Sequence, residues 1–136
     1  EKIGPGRVTL VGGLLSAAAA FPLFWLIDTG SAWAITLAVA SGIGLLTITY
    51  AVTGALLTEL FPANMRYSGV SLGYNIAGAL SGFLPFIGTW LIAQQEVPSS
   101  LPGIIIFAAI SLLTALGGFL GERLRIKDDV VVTEAK

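Results

Sequence analysis

Thr58, Glu59, Leu60, Phe61, Pro62, Ala63, Asn64, Met65, Arg66, Tyr67, Ser68 and Gly69 form the polar interruption that decides the fold. Residues 32–57 before it and residues 67–93 after it carry no charged side chain. A helix rises about 1.5 Å per residue, so about 20 apolar residues cross a hydrocarbon layer of about 30 Å. Both stretches are long enough, and the proline-containing turn between them brings Glu59 and Arg66 to a membrane surface, with six residues between them. Working outward, residues 8–27 form another apolar window, ended by Asp28, Thr29, Gly30 and Ser31, and residues 102–120 a fourth, preceded by the loop 94–100. The sequence therefore predicts an all-α membrane protein: a loop at 1–7, a transmembrane segment at 8–124 with four spans, and a tail at 125–136.

Charge placement tests that parse, because Lys and Arg collect in cytoplasmic loops near span ends. Lys2 and Arg7 precede the first span, Arg66 separates the second from the third, and Arg123, Arg125, Lys127 and Lys136 follow the fourth. The two opposite loops hold only Asp28 and Glu96. All seven basic residues fall on one side, which predicts a multi-pass protein of the plasma membrane with both ends of the segment cytoplasmic.

Composition narrows the chemistry. Charged residues make up 11% of the 136, against roughly 25% in soluble domains, so a water-soluble surface could not be covered. With no cysteine and no histidine, disulfides, thiolate nucleophiles, Cys/His zinc sites and histidine acid–base catalysis are excluded. No catalytic residue, metal site or cofactor is expected. The net charge of −1, without a basic run, argues against nucleic acid. No ionisable residue lies within a span, so a proton-carrying carboxylate is not expected here; Glu59, at a helix end, is the nearest. A chain beginning at Glu1 reads as part of a longer protein.

Small residues indicate helix contacts, since close backbone approach drives association in lipid. Gly69 and Gly73, and Gly78 and Gly82, mark the third span; Gly117, Gly118 and Gly121 end the fourth; Gly12, Gly13, Ser16 and residues 17–20 line the first. Pro22 and Pro85 lie inside spans, as kinks that either shape a cavity or are simply satisfied by neighbours.

Two polar stripes are candidate cavity walls. Thr47, Tyr50 and Thr53 or Gly54 share a face of the second span, and Ser71, Tyr74, Asn75, Gly78 and Ser81 a face of the third. An asparagine amide facing lipid is costly, so Asn75 faces protein or water. The alternative is that these groups bond across helix interfaces or to their own helix backbone. Glu59 and Arg66 could pair as a staple between two helix ends, which on an exposed surface contributes under about 1 kcal/mol.

The run Glu59, Leu60, Phe61, Pro62, then Arg66, Tyr67, Ser68, Gly69, then Tyr74, Asn75 resembles the loop between helices ten and eleven of the major facilitator superfamily. It is particularly similar to the metabolite:proton symporter branch, which includes proline/betaine, shikimate and 2-oxoglutarate permeases. Glu1, Lys2, Ile3, Gly4, Pro5, Gly6, Arg7 resembles the start of the Asp-Arg-x-Gly-Arg-Arg loop before helix nine, with Pro5 and Gly6 departing from its arginines. The resemblance implies helices nine to twelve of a twelve-helix fold: a cavity-lining second span, a third span between the two six-helix halves, and first and fourth spans at the periphery. It also implies that Glu59, Arg66 and Arg7 join a cytoplasmic charge network. The function implied is secondary active transport of a small organic acid or zwitterion, proton-coupled, by alternating access. Its partners are the solute, protons, the bilayer and the N-terminal helices of the same transporter. A four-helix scaffold or assembly subunit is the competing reading, and a membrane-embedded enzyme the weakest.

Overall fold

A computed structural model describes residues 4–97 and 99–134. Glu1, Lys2 and Ile3 of the first loop, and the side chains of Arg125, Lys127 and Lys136 counted in the charge pattern, lie outside the described ones. The chain is all-helical: α1 (Pro5–Asp28), α2 (Ala32–Leu60), α3 (Arg66–Ser81), α4 (Leu84–Ala93) and α5 (Leu101–Glu134). Four stretches are long and apolar enough to cross a membrane: Pro5–Asp28, Ala32–Leu60, Arg66–Ala93 and Leu101–Leu124.

The turns follow from local chemistry. Pro5 opens α1, where its missing N–H costs no hydrogen bond. The α1–α2 reversal needs a left-handed residue to stop the helix, and Gly30 supplies it with φ of 69° while its N–H reaches Ile27 O at 3.1 Å. Pro62 breaks the chain after α2, and Met65 N–H closes a turn onto Pro62 O at 3.0 Å.

Two boundaries differ from expectation. The third span is two helices, not one: Pro85 has no N–H for the Ser81 carbonyl and its ring crowds that oxygen, so α3 stops at Ser81 and α4 restarts at Leu84 with Pro85 in its first turn. Pro22 sits inside an unbroken α1. The fourth helix runs past the expected span end at residue 120 and on through residues 121–134, since no proline follows Leu120 to stop it, while its membrane-length part ends at Leu124, where the expected tail begins.

Packing centres on α1, which runs antiparallel to both α2 and α5. Its face towards α5 is built from Gly6, Thr9, Gly13, Ser16 and Ala20, all buried and spaced alternately three and four apart. A Cβ on Gly13 would lie 2.6 Å from the Ala115 nitrogen, and one on Gly118 would lie 2.6 Å from the Leu10 nitrogen. Only glycine permits the two backbones to approach so closely, as association in lipid requires. Further along, the rings of Phe24 and Phe107 meet edge to face at 6.3 Å. On the α2 side, Gly12 abuts the Thr49 hydroxyl and Gly42 faces Leu23. Among these elements α1 is the central one, in contact with both α2 and α5. By contrast, α3 and α4 bury no residue, and nothing stands within 4 Å of a Cβ placed on Gly73 or Gly78.

Candidate functional site

The second-span stripe forms one wall of a groove of about 530 Å³ between α2 and α5, lined by Ile43, Leu46, Thr47, Thr49, Tyr50, Thr53 and Thr114. Helical spacing puts Thr47, Tyr50 and Thr53 in this one concavity. Each threonine hydroxyl donates to its own helix: Thr47 to Ile43 O at 2.8 Å, Thr53 to Thr49 O at 3.0 Å and Thr114 to Ile110 O at 2.9 Å. Their oxygens can then only accept from a solute, which leaves the exposed Tyr50 hydroxyl as the groove's donor. Thr114 was not singled out in the sequence, because a lone threonine in an apolar span carries no signal of which face it takes.

Tyr74 and Asn75 do not line this groove. They lie on α3, where Asn75 Nδ2 donates to Ser71 O at 2.8 Å and to Ser71 Oγ at 3.4 Å. The backbone-bonding alternative therefore accounts for the amide hydrogens of Asn75 and for the threonines, while Tyr74 is 41% exposed. The five candidates divide between two helices, Thr47, Tyr50 and Thr53 on α2 and Tyr74 and Asn75 on α3, as the two stripes do. A second concavity, of about 510 Å³, lies at the α2–α3 turn and is lined by Thr58, Ala63, Arg66, Tyr67, Val70 and Ser71.

The charged residues are arranged differently from the expected staple. Arg66 makes no ion pair among the described residues, so the Glu59–Arg66 pair is not closed here. Arg7 Nε instead lies 3.2 Å from Glu122 Oε1, joining the start of α1 to α5. The Glu122 side chain is 19% exposed, and its Oε2 is buried beside Gly6 without a hydrogen-bond partner among the described residues. Glu122 lies just past the predicted fourth span, where residue pattern alone carries no reason to bury a carboxylate. At the other end, Ser100 Oγ donates to Asp28 Oδ1 and links α5 to the end of α1.

No family model and no solved structure matches the chain. Curated relatives do. The chain is 32% identical to the shikimate transporter of Escherichia coli K12 over 120 residues, which is 85% of this chain and 27% of that protein. It is 27% identical to the proline/betaine transporter of Salmonella typhimurium over 85% of this chain and 23% of that protein. A shorter stretch of 51 residues, 37% of this chain, is 45% identical to the inner membrane metabolite transport protein YhjE of Escherichia coli K12, covering 12% of it. The chain thus spans about a quarter or less of the length of these relatives, which are transporters and not enzymes. Four membrane-length helices and these matches together make the chain distantly similar to part of curated metabolite transporters, the shikimate and proline/betaine transporters among them.

Proposed function

We propose that this chain is the last four helices of a twelve-helix secondary transporter that moves a small organic acid or zwitterionic metabolite by alternating access, coupled to protons. The observation that carries this reading is the match over 85% of the chain to relatives named for shikimate and for proline/betaine. In this assignment α1, α2, α3 with α4, and α5 are helices nine to twelve. Residues 1–7, the α2–α3 turn and the C-terminal end face the cytoplasm, as the one-sided distribution of basic residues supports. The bare face of α3 then receives helices of the N-terminal half, which accounts for Gly73 and Gly78 standing open.

Within that assignment, Thr47, Tyr50 and Thr53 line part of the solute path from α2, and Tyr74 and Asn75 from α3. Arg7, Glu59 and Arg66 belong to the cytoplasmic charge network, with Glu122 as an additional member paired to Arg7. Movement of the two halves as rigid bodies about a midplane site would make and break such end contacts.

The test is uptake by the full-length transporter in proteoliposomes, using radiolabelled organic acids and betaines with and without an inward proton gradient. Accumulation of at least one of them, stimulated by the gradient, is the expected result. Absence of uptake across the panel would contradict the transport reading, and uptake indifferent to the gradient would remove the proton coupling.

A further inference from the structure

At the end of the spans opposite Arg7 and Arg66, α1 and the start of α5 leave a recess of about 200 Å³, lined by Phe21, Trp25, Asp28, Ser99, Ser100 and Leu101. A concavity of about 530 Å³ shares Asp28, Ser99 and Ser100 with it and reaches Ile92 of α4. The lining is graded by depth. Asp28 closes α1, and Trp25 and Phe21 stand three and seven residues before it, so all three share one face of the helix. Trp25 and Phe21 therefore lie about 4.5 and 10 Å deeper along the helix axis than the carboxylate. Oxygens gather at the shallow end. Ser100 Oγ donates to Asp28 Oδ1, and Ser99 Oγ accepts from the Leu101 N–H at 3.2 Å, which leaves acceptor lone pairs on both hydroxyls and on the carboxylate. Neither bond neutralises the charge of Asp28, and segments 28–31 and 94–100 contain no Lys or Arg.

Such a recess fits a molecule with a cationic donor at the membrane surface and an apolar body that follows α1 inward. A primary ammonium brings three N–H donors to the acceptors of Asp28, Ser99 and Ser100, and its hydrogen bonds to a carboxylate are charge-assisted. Small metabolites dissolved in water have no apolar body of that length, whereas lipids do. We infer that the recess holds the head of an amine-bearing phospholipid, its ammonium on Asp28 and an acyl chain against Trp25 and Phe21. A tryptophan one turn below the carboxylate suits this contact, because indole rings favour the headgroup level of a bilayer. The site lies away from the groove of Thr47, Tyr50 and Thr53, so it goes beyond the transport reading and does not depend on which solute is carried.

The experiment uses the full-length protein, freed of any other cysteine, with a fluorophore on Ile105→Cys, one turn below Leu101. It is reconstituted in phosphatidylcholine vesicles containing increasing fractions of phosphatidylethanolamine or phosphatidylcholine with a nitroxide on the acyl chain. The mole fraction of each that half-quenches the fluorophore gives their relative affinity, and the ratio cancels any change common to both lipids. Phosphatidylethanolamine is expected to bind about fivefold more tightly, as an ion pair at a membrane surface allows. Asp28→Asn, which keeps the size and an oxygen for Ser100, should bring the ratio to about one, and Asp28→Glu should retain most of the preference. A ratio of one in the wild type, or a preference that survives Asp28→Asn, overturns the inference. Quenching by neither lipid shows that protein covers the recess, and loss of the preference on adding free ethanolamine assigns it to a soluble amine; each overturns it as well.

Discussion

At the scale of single residues, Arg7 and Glu122 are unequal partners. Arg7 is 62% exposed and Glu122 19%, so each loses something different when the other is removed. Arg7→Ala leaves a mostly buried carboxylate with neither oxygen paired, a change that costs about 1–3 kcal/mol. Glu122→Ala leaves an exposed guanidinium in contact with water and costs under about 1 kcal/mol. Denaturation of the detergent-solubilised protein should rank Arg7→Ala as the less stable variant, and the reverse order would contradict the burial of Glu122. Asn75 presents a different case, because its amide hydrogens are already committed to Ser71 and only Oδ1 is left to meet a solute. Asn75→Leu is expected to raise KM severalfold in the full-length transporter while membrane insertion is retained. Wild-type KM and rate in that variant would reduce Asn75 to a backbone-bonding residue. The residue types at both places were visible in the sequence. Their partners were not, since a span is apolar on every side and gives no amphipathic pattern to orient its faces.

At the scale of the element, close glycine contacts and a proline break set the arrangement. Any side chain on Gly13 must displace the α5 backbone at Ala115, so Gly13→Leu should destabilise the α1–α5 pair by about 1–3 kcal/mol, as overpacking does. Gly73→Leu meets nothing within 4 Å in this chain and should be neutral to the same unfolding measurement. Equal losses from the two substitutions would contradict the packing described. Pro85→Ala restores a donor for the Ser81 carbonyl and should join α3 to α4. Spin labels near residues 74 and 90 would then report one narrow distance distribution for a straight helix, and an unchanged distribution would show that the break has another cause. How many spans there are was legible from stretch length and from the loop charges. The break at Gly82 and Phe83 was not, because Pro22 and Pro85 look alike in sequence and only surrounding contacts decide which helix holds together. Charges after Leu120 bound the apolar stretch and say nothing of where the helix stops, so α5 can run beyond it to Glu134.

At the scale of the whole molecule, α1 is a hub with α2 on one side and α5 on the other, while α3 and α4 stand largely uncovered. That asymmetry is what a part of a larger helical assembly requires, and it agrees with a relative about three times as long. The polar contacts at the two ends of α1, Arg7 with Glu122 and Asp28 with Ser100, tie both of its ends to α5 and the residue that precedes it. The central claim is that the chain crosses the membrane four times with its basic residues on the cytoplasmic side. Absence of cysteine in this chain lets single cysteines report the side directly. In a full-length transporter free of other cysteines, Asp28→Cys and Ala63→Cys are labelled with a membrane-impermeant maleimide in intact cells and in inverted vesicles. The account predicts that Asp28→Cys reacts only in cells and Ala63→Cys only in inverted vesicles; reaction of both from the same side would contradict it.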